Sequence, residues 1–165
     1  MRNAYQTEEN GMQGKREVLE VLAKMLKEEL GAISQYFIHA EMCENWGLKK
    51  LSERTKKESI GEMKHAEALI ERMLFLEGIP DLNDMPKLHV GKTVKDQLRN
   101  DLTLEKGAVE EYNEAIAICR KAGDHASANL LQSILGDEEG HVNFLEDQLG
   151  LIDQVGLENY LARQM

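Results

Sequence analysis

"GIPDLNDMPKLHVG", residues 78–91, decides the fold. It holds both prolines of the 165-residue chain, Pro80 and Pro86. The long segments on either side lack proline and are rich in Ala, Leu, Glu, Lys and Met, which favours helix. Their apolar residues recur at spacings of three and four, not two. Leu22, Leu26, Ile33, Tyr36 and Ala40 share one face, as do Leu98, Leu102, Val109, Tyr112 and Ile116. The pattern predicts four helices at about 15–45, 48–77, 94–121 and 125–149. Gly47 and Gly123 stand where the first and third should stop. The turns they make are short, so the chain folds as two antiparallel hairpins. A 28-residue helix is about 42 Å long. The stretch from Gly78 to Thr93 can span about 53 Å when extended, enough to run the length of the bundle. The fold class is all-α: a four-helix bundle of two antiparallel hairpins joined by one long crossover. The tail "DQVGLENYLARQM", 153–165, predicts a short fifth helix.

The length fits one domain, with a core large enough to need no staples. Acids outnumber bases 30 to 20, for a formal net charge of −10. That excludes a nucleic-acid partner as the natural reading and favours cation attraction. No apolar run is long enough to span a membrane, and the polar start lacks the apolar core of a secretory signal. Cys43 and Cys119 give neither a disulfide framework nor zinc spacing and read as packed thiols. The expected compartment is the cytoplasm.

The two hairpins are copies of one plan. "EMKH" at 62–65 matches "EEGH" at 138–141, an offset of 76. The same offset lays "ELGAISQY", from Glu29, on "EKGAVEEY", from Glu105, and Cys43 and Gly47 on Cys119 and Gly123. Glu29 and Glu105 each lie 18 residues before their turn glycine, and Glu62 and Glu138 each lie 15 after it. Those offsets are about 27 and 22 Å of helix, so all four acids fall at one level. They interrupt the apolar stripes, so they face inward. His65 and His141, one turn on, share that face.

A buried carboxylate costs several kcal/mol unless it is paired or binds a metal. Four acids and two imidazoles at one level have too few basic partners. Two divalent cations would neutralise the carboxylates. Oxygen and imidazole donors without thiolate suit iron or manganese. The candidate metal ligands are Glu29, Glu62, His65, Glu105, Glu138 and His141, a pattern already known for ferritin-like di-iron bundles. His39, His89 and His125 show no comparable partners and read as surface or loop residues.

From residue 12 to the end the sequence resembles the bacterioferritins. The resemblance rests on "EELGAISQYFIHAEM", "NWGLKKL", "ESIGEMKHAE", "FLEGIPDL", "ILGDEEGH" and "GLENYL", in family order. It implies a ferritin-like domain over 12–165, with 1–11 a flexible N-terminal extension. It further implies a 24-subunit homo-oligomeric cage that oxidises Fe(II) with O2 or H2O2 at a di-iron ferroxidase centre and stores ferric mineral. Glu29 and His65 would hold one iron, Glu105 and His141 the other, with Glu62 and Glu138 bridging. Tyr36 matches a tyrosine beside the site that supplies an electron, and Trp46 a nearby tryptophan. Met63 lies about 100° round the helix from the metal face. It matches the axial ligand of a haem b shared between two subunits, whose thioether raises the haem potential. A ferredoxin-type reductant for iron release belongs to the same picture.

The sequence departs from well-known relatives at Lys56 and Lys57, where an aromatic and a histidine are common, and at Gly61 and Asn143, where acids occur. Lys57, Gly61 and Asn143 imply a weak or absent inner-surface iron site, and Lys56 weighs against full haem occupancy. Two alternatives stay open: a non-catalytic cage subunit that binds haem or nucleates mineral, and a di-iron peroxidase or oxygenase on the same bundle.

Overall fold

The computed structural model describes residues 12–165. The expected extension over 1–11 lies outside the described residues. The helices are α1 (Arg16–Asn45), α2 (Lys49–Phe75), α3 (Val94–Lys121), α4 (His125–Val155) and α5 (Leu157–Ala162). Helix is the one regular secondary structure among the described residues.

The repeat is visible in the caps. Gly47 has φ +79° and Gly123 φ +78°, a region open to glycine because it lacks a Cβ. Past each glycine, Leu48 N–H donates to Cys43 O and Asp124 N–H to Cys119 O, both at 2.9 Å. These bonds satisfy carbonyls that the helix end would otherwise leave unpaired. Thr93 and Asp124 cap α3 and α4 by accepting from Asp96 N–H and Ser127 N–H.

α1 packs on α2 and α3 on α4, and the halves meet chiefly through α1 and α3. The crossover starts beside the beginning of α1, where Gly14 N–H donates to Leu76 O at 2.9 Å. It ends at Val94, which packs at the opposite end of the bundle with Leu48 and Leu51. Between those points it runs along α1. A Cβ on Gly31 would lie 2.8 Å from Pro86 Cγ, whereas its repeat counterpart Gly107 has open space. Glycine at 31 therefore lets the crossover lie close.

Two structural details differ from expectation. α4 continues past 149 to Val155. Gly150 costs a helix interior about 1 kcal/mol, but Leu149, Leu151, Ile152 and Val155 keep burying apolar surface. The helix ends at Gly156, φ +82°. His39 is not a surface residue: it is fully buried. Its Nδ1–H donates to Asp101 at 3.0 Å, and its Nε2 accepts from Gly91 N–H at 2.9 Å. Gln35 joins the same cluster, donating to Asp101 and accepting from His89 N–H. The histidine thus fastens the crossover to α1 and α3. His89 and His125 are exposed, as expected.

The apolar core is in two parts. One gathers Leu22, Leu26, Leu69, Met73, Ile116, Leu131 and Ile134. The other gathers Cys43, Leu51, Leu98, Leu145, Ile152 and Tyr160. In each of the four long helices, a buried glutamate falls between the residues of one part and those of the other.

Candidate metal centre

The fold brings Glu29, Glu62, His65, Glu105, Glu138 and His141 together at that polar level. The four carboxylates are at most 3% exposed. The histidine side chains are 11% and 15% exposed, and their ring centroids lie 6.4 Å apart. His65 Nδ1 lies 2.9 Å from Glu62, 3.2 Å from Glu138 and 3.4 Å from Glu29. His141 Nδ1 lies 3.0 Å from Glu138, 3.1 Å from Glu62 and 3.4 Å from Glu105.

Two overlapping groups result. Glu29, Glu62, His65 and Glu138 form one, and Glu62, Glu105, Glu138 and His141 the other; within each, the ligand atoms lie within 4.8 Å of one another. Glu62 and Glu138 belong to both. A cavity of about 10 Å³ lies among the carboxylates, lined also by Glu28, Ala32, Leu104 and Ala108. Glu29 Oε2 and Glu62 Oε1 are buried with only His65 and His141 nitrogens nearby, at 3.4 and 3.1 Å, and neither oxygen accepts a hydrogen bond. Such atoms are costly to leave unmet, and a divalent cation would meet them. The donor set fits iron.

The electrostatics separate the four acids into two kinds. Burial, then repulsion from Glu138 and Glu62, pushes Glu29 up to about 8 against the pull of His65. Glu105 is also pushed well up, chiefly by burial. Burial opposes the charge of Glu138 as well, but bonds to His141 and His65 outweigh it and hold that carboxyl down to about 2. Glu62 is lowered in the same way. Both histidines are raised: burial alone would lower them, and the surrounding carboxylates prevail. The shared pair thus carries negative charge and the two imidazoliums balance it.

Tyr36 donates to Glu105 and Tyr112 to Glu29. Burial first, and the nearby carboxylates second, raise both phenols, so each acts as a hydrogen donor. The sequence reading gives Tyr112 a place on the inner stripe but no role at the site, although the offset of 76 from Tyr36 contains the signal. Trp46 does not belong to this neighbourhood: it is the exposed cap residue of α1, about 26 Å along the helix from Glu29.

The outward nitrogens of the histidines have partners the sequence reading missed. His141 Nε2 lies 2.9 Å from Glu58 and His65 Nε2 3.1 Å from Asp137. Glu58 stands one turn before Glu62 and Asp137 directly before Glu138, but neither has an acidic repeat counterpart.

Met63 is 54% exposed on α2, one turn from exposed Ile60. A thioether beside apolar surface fits an axial haem ligand. Lys56, on the same face, is held by Glu41 at 2.5 Å and lies over the Phe37 ring at 6.0 Å. Lys57 and Asn143 are exposed, and a Cβ on Gly61 would meet open space. No described helix is long and apolar enough to cross a membrane.

The family model of the ferritin-like domain matches residues 19–155. The "Bacterial ferritin" of Synechocystis sp. is 48% identical over 155 residues, 93% of this chain and 99% of that one. The "Bacterioferritin" of Mycobacterium leprae is 45% identical over 152 residues, 92% of this chain and 96% of its own. The "Bacterioferritin" of Rhodobacter capsulatus is 43% identical over 149 residues, covering 90% and 92%.

Proposed function

The chain belongs to the bacterioferritins, and from that membership we propose its function: it stores iron, and it oxidises Fe(II) to Fe(III) at a di-iron ferroxidase centre. One observation carries the reading. Two metal-sized groups of buried donors share Glu62 and Glu138 and sit side by side in one bundle. In this reading Fe(II) is the substrate. Glu29 and His65 take one ion, Glu105 and His141 the other, and Glu62 and Glu138 contact both. Two adjacent Fe(II) ions deliver the two electrons that reduce O2 to H2O2 or H2O2 to water. Hard carboxylates favour the ferric product. Tyr36 and Tyr112 orient the outer carboxylates, and Tyr36 is assigned as an electron donor to the site.

The cage is a homo-oligomer of 24 subunits. Met63 from each of two subunits would hold a haem b between them. The haem supplies one-electron chemistry for reductive release of stored iron, fed by a ferredoxin-type reductant. The setting is the cytoplasm, consistent with two free, buried thiols at Cys43 and Cys119. The reading involves neither nucleic acid nor a membrane. The test is the particle mass with the visible spectrum after Fe(II) and O2. A particle near 24 chains with ferric and haem absorption supports it. A dimer that turns over an organic substrate overturns it.

A further inference from the structure

The two halves of the metal centre are alike in their inner donors and unlike behind them. His141 turns its outer nitrogen to Glu58, whose side chain is only 13% exposed. Glu58 is in turn gripped by Arg54 at 2.6 Å. The Arg54 guanidinium lies 4.2 Å over the ring of Phe144, one turn along α4 from His141. The result is a closed bracket across α2 and α4: Phe144, Arg54, Glu58, His141. His65 has no such bracket. Its outer nitrogen meets Asp137, which is 65% exposed. The internal repeat explains the difference. The counterpart of Glu58 is Ile134, a buried core residue, and the counterpart of Asp137 is Gly61. Neither carboxylate has a copy in the other half.

A carboxylate on the far nitrogen of a ligating imidazole fixes its orientation and raises its basicity as a ligand. The effect is greater when the carboxylate is buried and itself held, because solvent screens an exposed one. We propose that Glu58, braced by Arg54, is the positioning residue of His141, and that it makes the Glu105–His141 position the tighter of the two metal sites. Glu29–His65, leaning on a solvated Asp137, is the looser one. The inference rests on the di-iron reading above. It adds an order of filling that the near-symmetric inner donors do not contain.

The experiment is an anaerobic titration of the assembled apo protein with Co(II), followed by calorimetry and by the cobalt absorption bands. Wild type takes two Co(II) per chain in two resolved steps. Glu58→Gln keeps the shape and removes the charge. It weakens the tighter step by about 10-fold or more, the scale of such partner losses, and shifts its absorption band, while the weaker step stays in place. Asp137→Asn moves the weaker step alone, and by less. Thermal unfolding of the apo variants checks that the fold is kept. Two Co(II) bound with a tighter step indifferent to Glu58→Gln, or both steps weakened alike, overturns the inference and leaves the di-metal reading standing. Fewer than two Co(II) bound by wild type overturns both.

Discussion

The Tyr112 hydroxyl donates to Glu29, a residue 83 positions earlier in the chain. Tyr36 does the same for Glu105 across 69 positions. Each outer carboxylate is therefore steadied by a tyrosine from the other hairpin, so the metal centre is also where the halves are tied together. Removing either hydroxyl leaves a buried carboxylate oxygen with one partner fewer, at a cost of about 1–3 kcal/mol. Tyr36→Phe and Tyr112→Phe should lower apo stability by similar amounts in denaturant unfolding. They should differ in kinetics: only Tyr36→Phe should change the decay of a radical signal after O2 is added. Equal radical behaviour in the two variants would remove Tyr36 from its assigned role.

His39 predicts a different kind of loss. Its Nε2 accepts from Gly91 N–H, so the ring must be neutral with its hydrogen on Nδ1, facing Asp101. His39→Ala leaves that amide without a buried partner and leaves the carboxylate with Gln35 alone. The expected cost is about 2–4 kcal/mol. Hydrogen exchange at the Gly91 amide should rise sharply, while the metal centre keeps its stoichiometry. Unchanged protection at Gly91 would contradict the anchoring role.

Asp124 gives a pH dependence. Burial opposes its charge, but hydrogen bonds from Ser127 and the Arg72 guanidinium hold its carboxyl below the usual value. A depressed folded-state value means the stabilisation is present above the usual aspartate range, near 3.9. It is lost as the pH falls through the lower folded-state value. Asp124→Asn retains a capping side chain and loses the ion pair with Arg72. The variant should be less stable than wild type by about 0.5–1 kcal/mol at neutral pH. The gap should begin to shrink below about pH 4 and close once the pH is below the folded-state value. A gap that persists there would place the effect elsewhere.

Much of this architecture is legible in the sequence because the information is local or repeated. The helices follow from apolar spacing, the crossover from two prolines and its length, and the six donors from one offset seen twice. What was not legible depends on distant partners. His39 looks unpartnered because Asp101 and Gly91 lie 62 and 52 positions away. Glu58 stands outside the repeat, so nothing in the offset marks it. The fourth helix is read as ending near 149, and its last turn, to Val155, depends on Ile152 and Val155 packing with the far part of the core.

Met63 tests the haem assignment. Met63→Leu keeps side-chain volume and helix propensity, so packing changes by under about 1.5 kcal/mol. The cage should assemble, lose its haem absorption and still oxidise Fe(II), since Met63 faces away from the metal centre. Wild type should carry at most one haem per two chains. Haem content by pyridine haemochrome, with reductive iron release, is the check. A Met63→Leu cage that keeps its haem would put the axial ligand elsewhere.

The central claim is that Glu62 and Glu138 serve both metal positions. Losing a partner of a ligand costs about 10–100-fold, and losing a shared ligand should exceed that. Replacing one buried acid in the apo protein should leave the fold intact, with the unfolding temperature within about 4 °C of wild type or higher. Stopped-flow absorbance after mixing Fe(II)-loaded protein with O2 decides the matter. Wild type should show a fast phase that saturates at two Fe(II) per chain, and Glu62→Ala and Glu138→Ala should each lose it by more than about 100-fold. A wild-type fast phase in either variant would contradict the account.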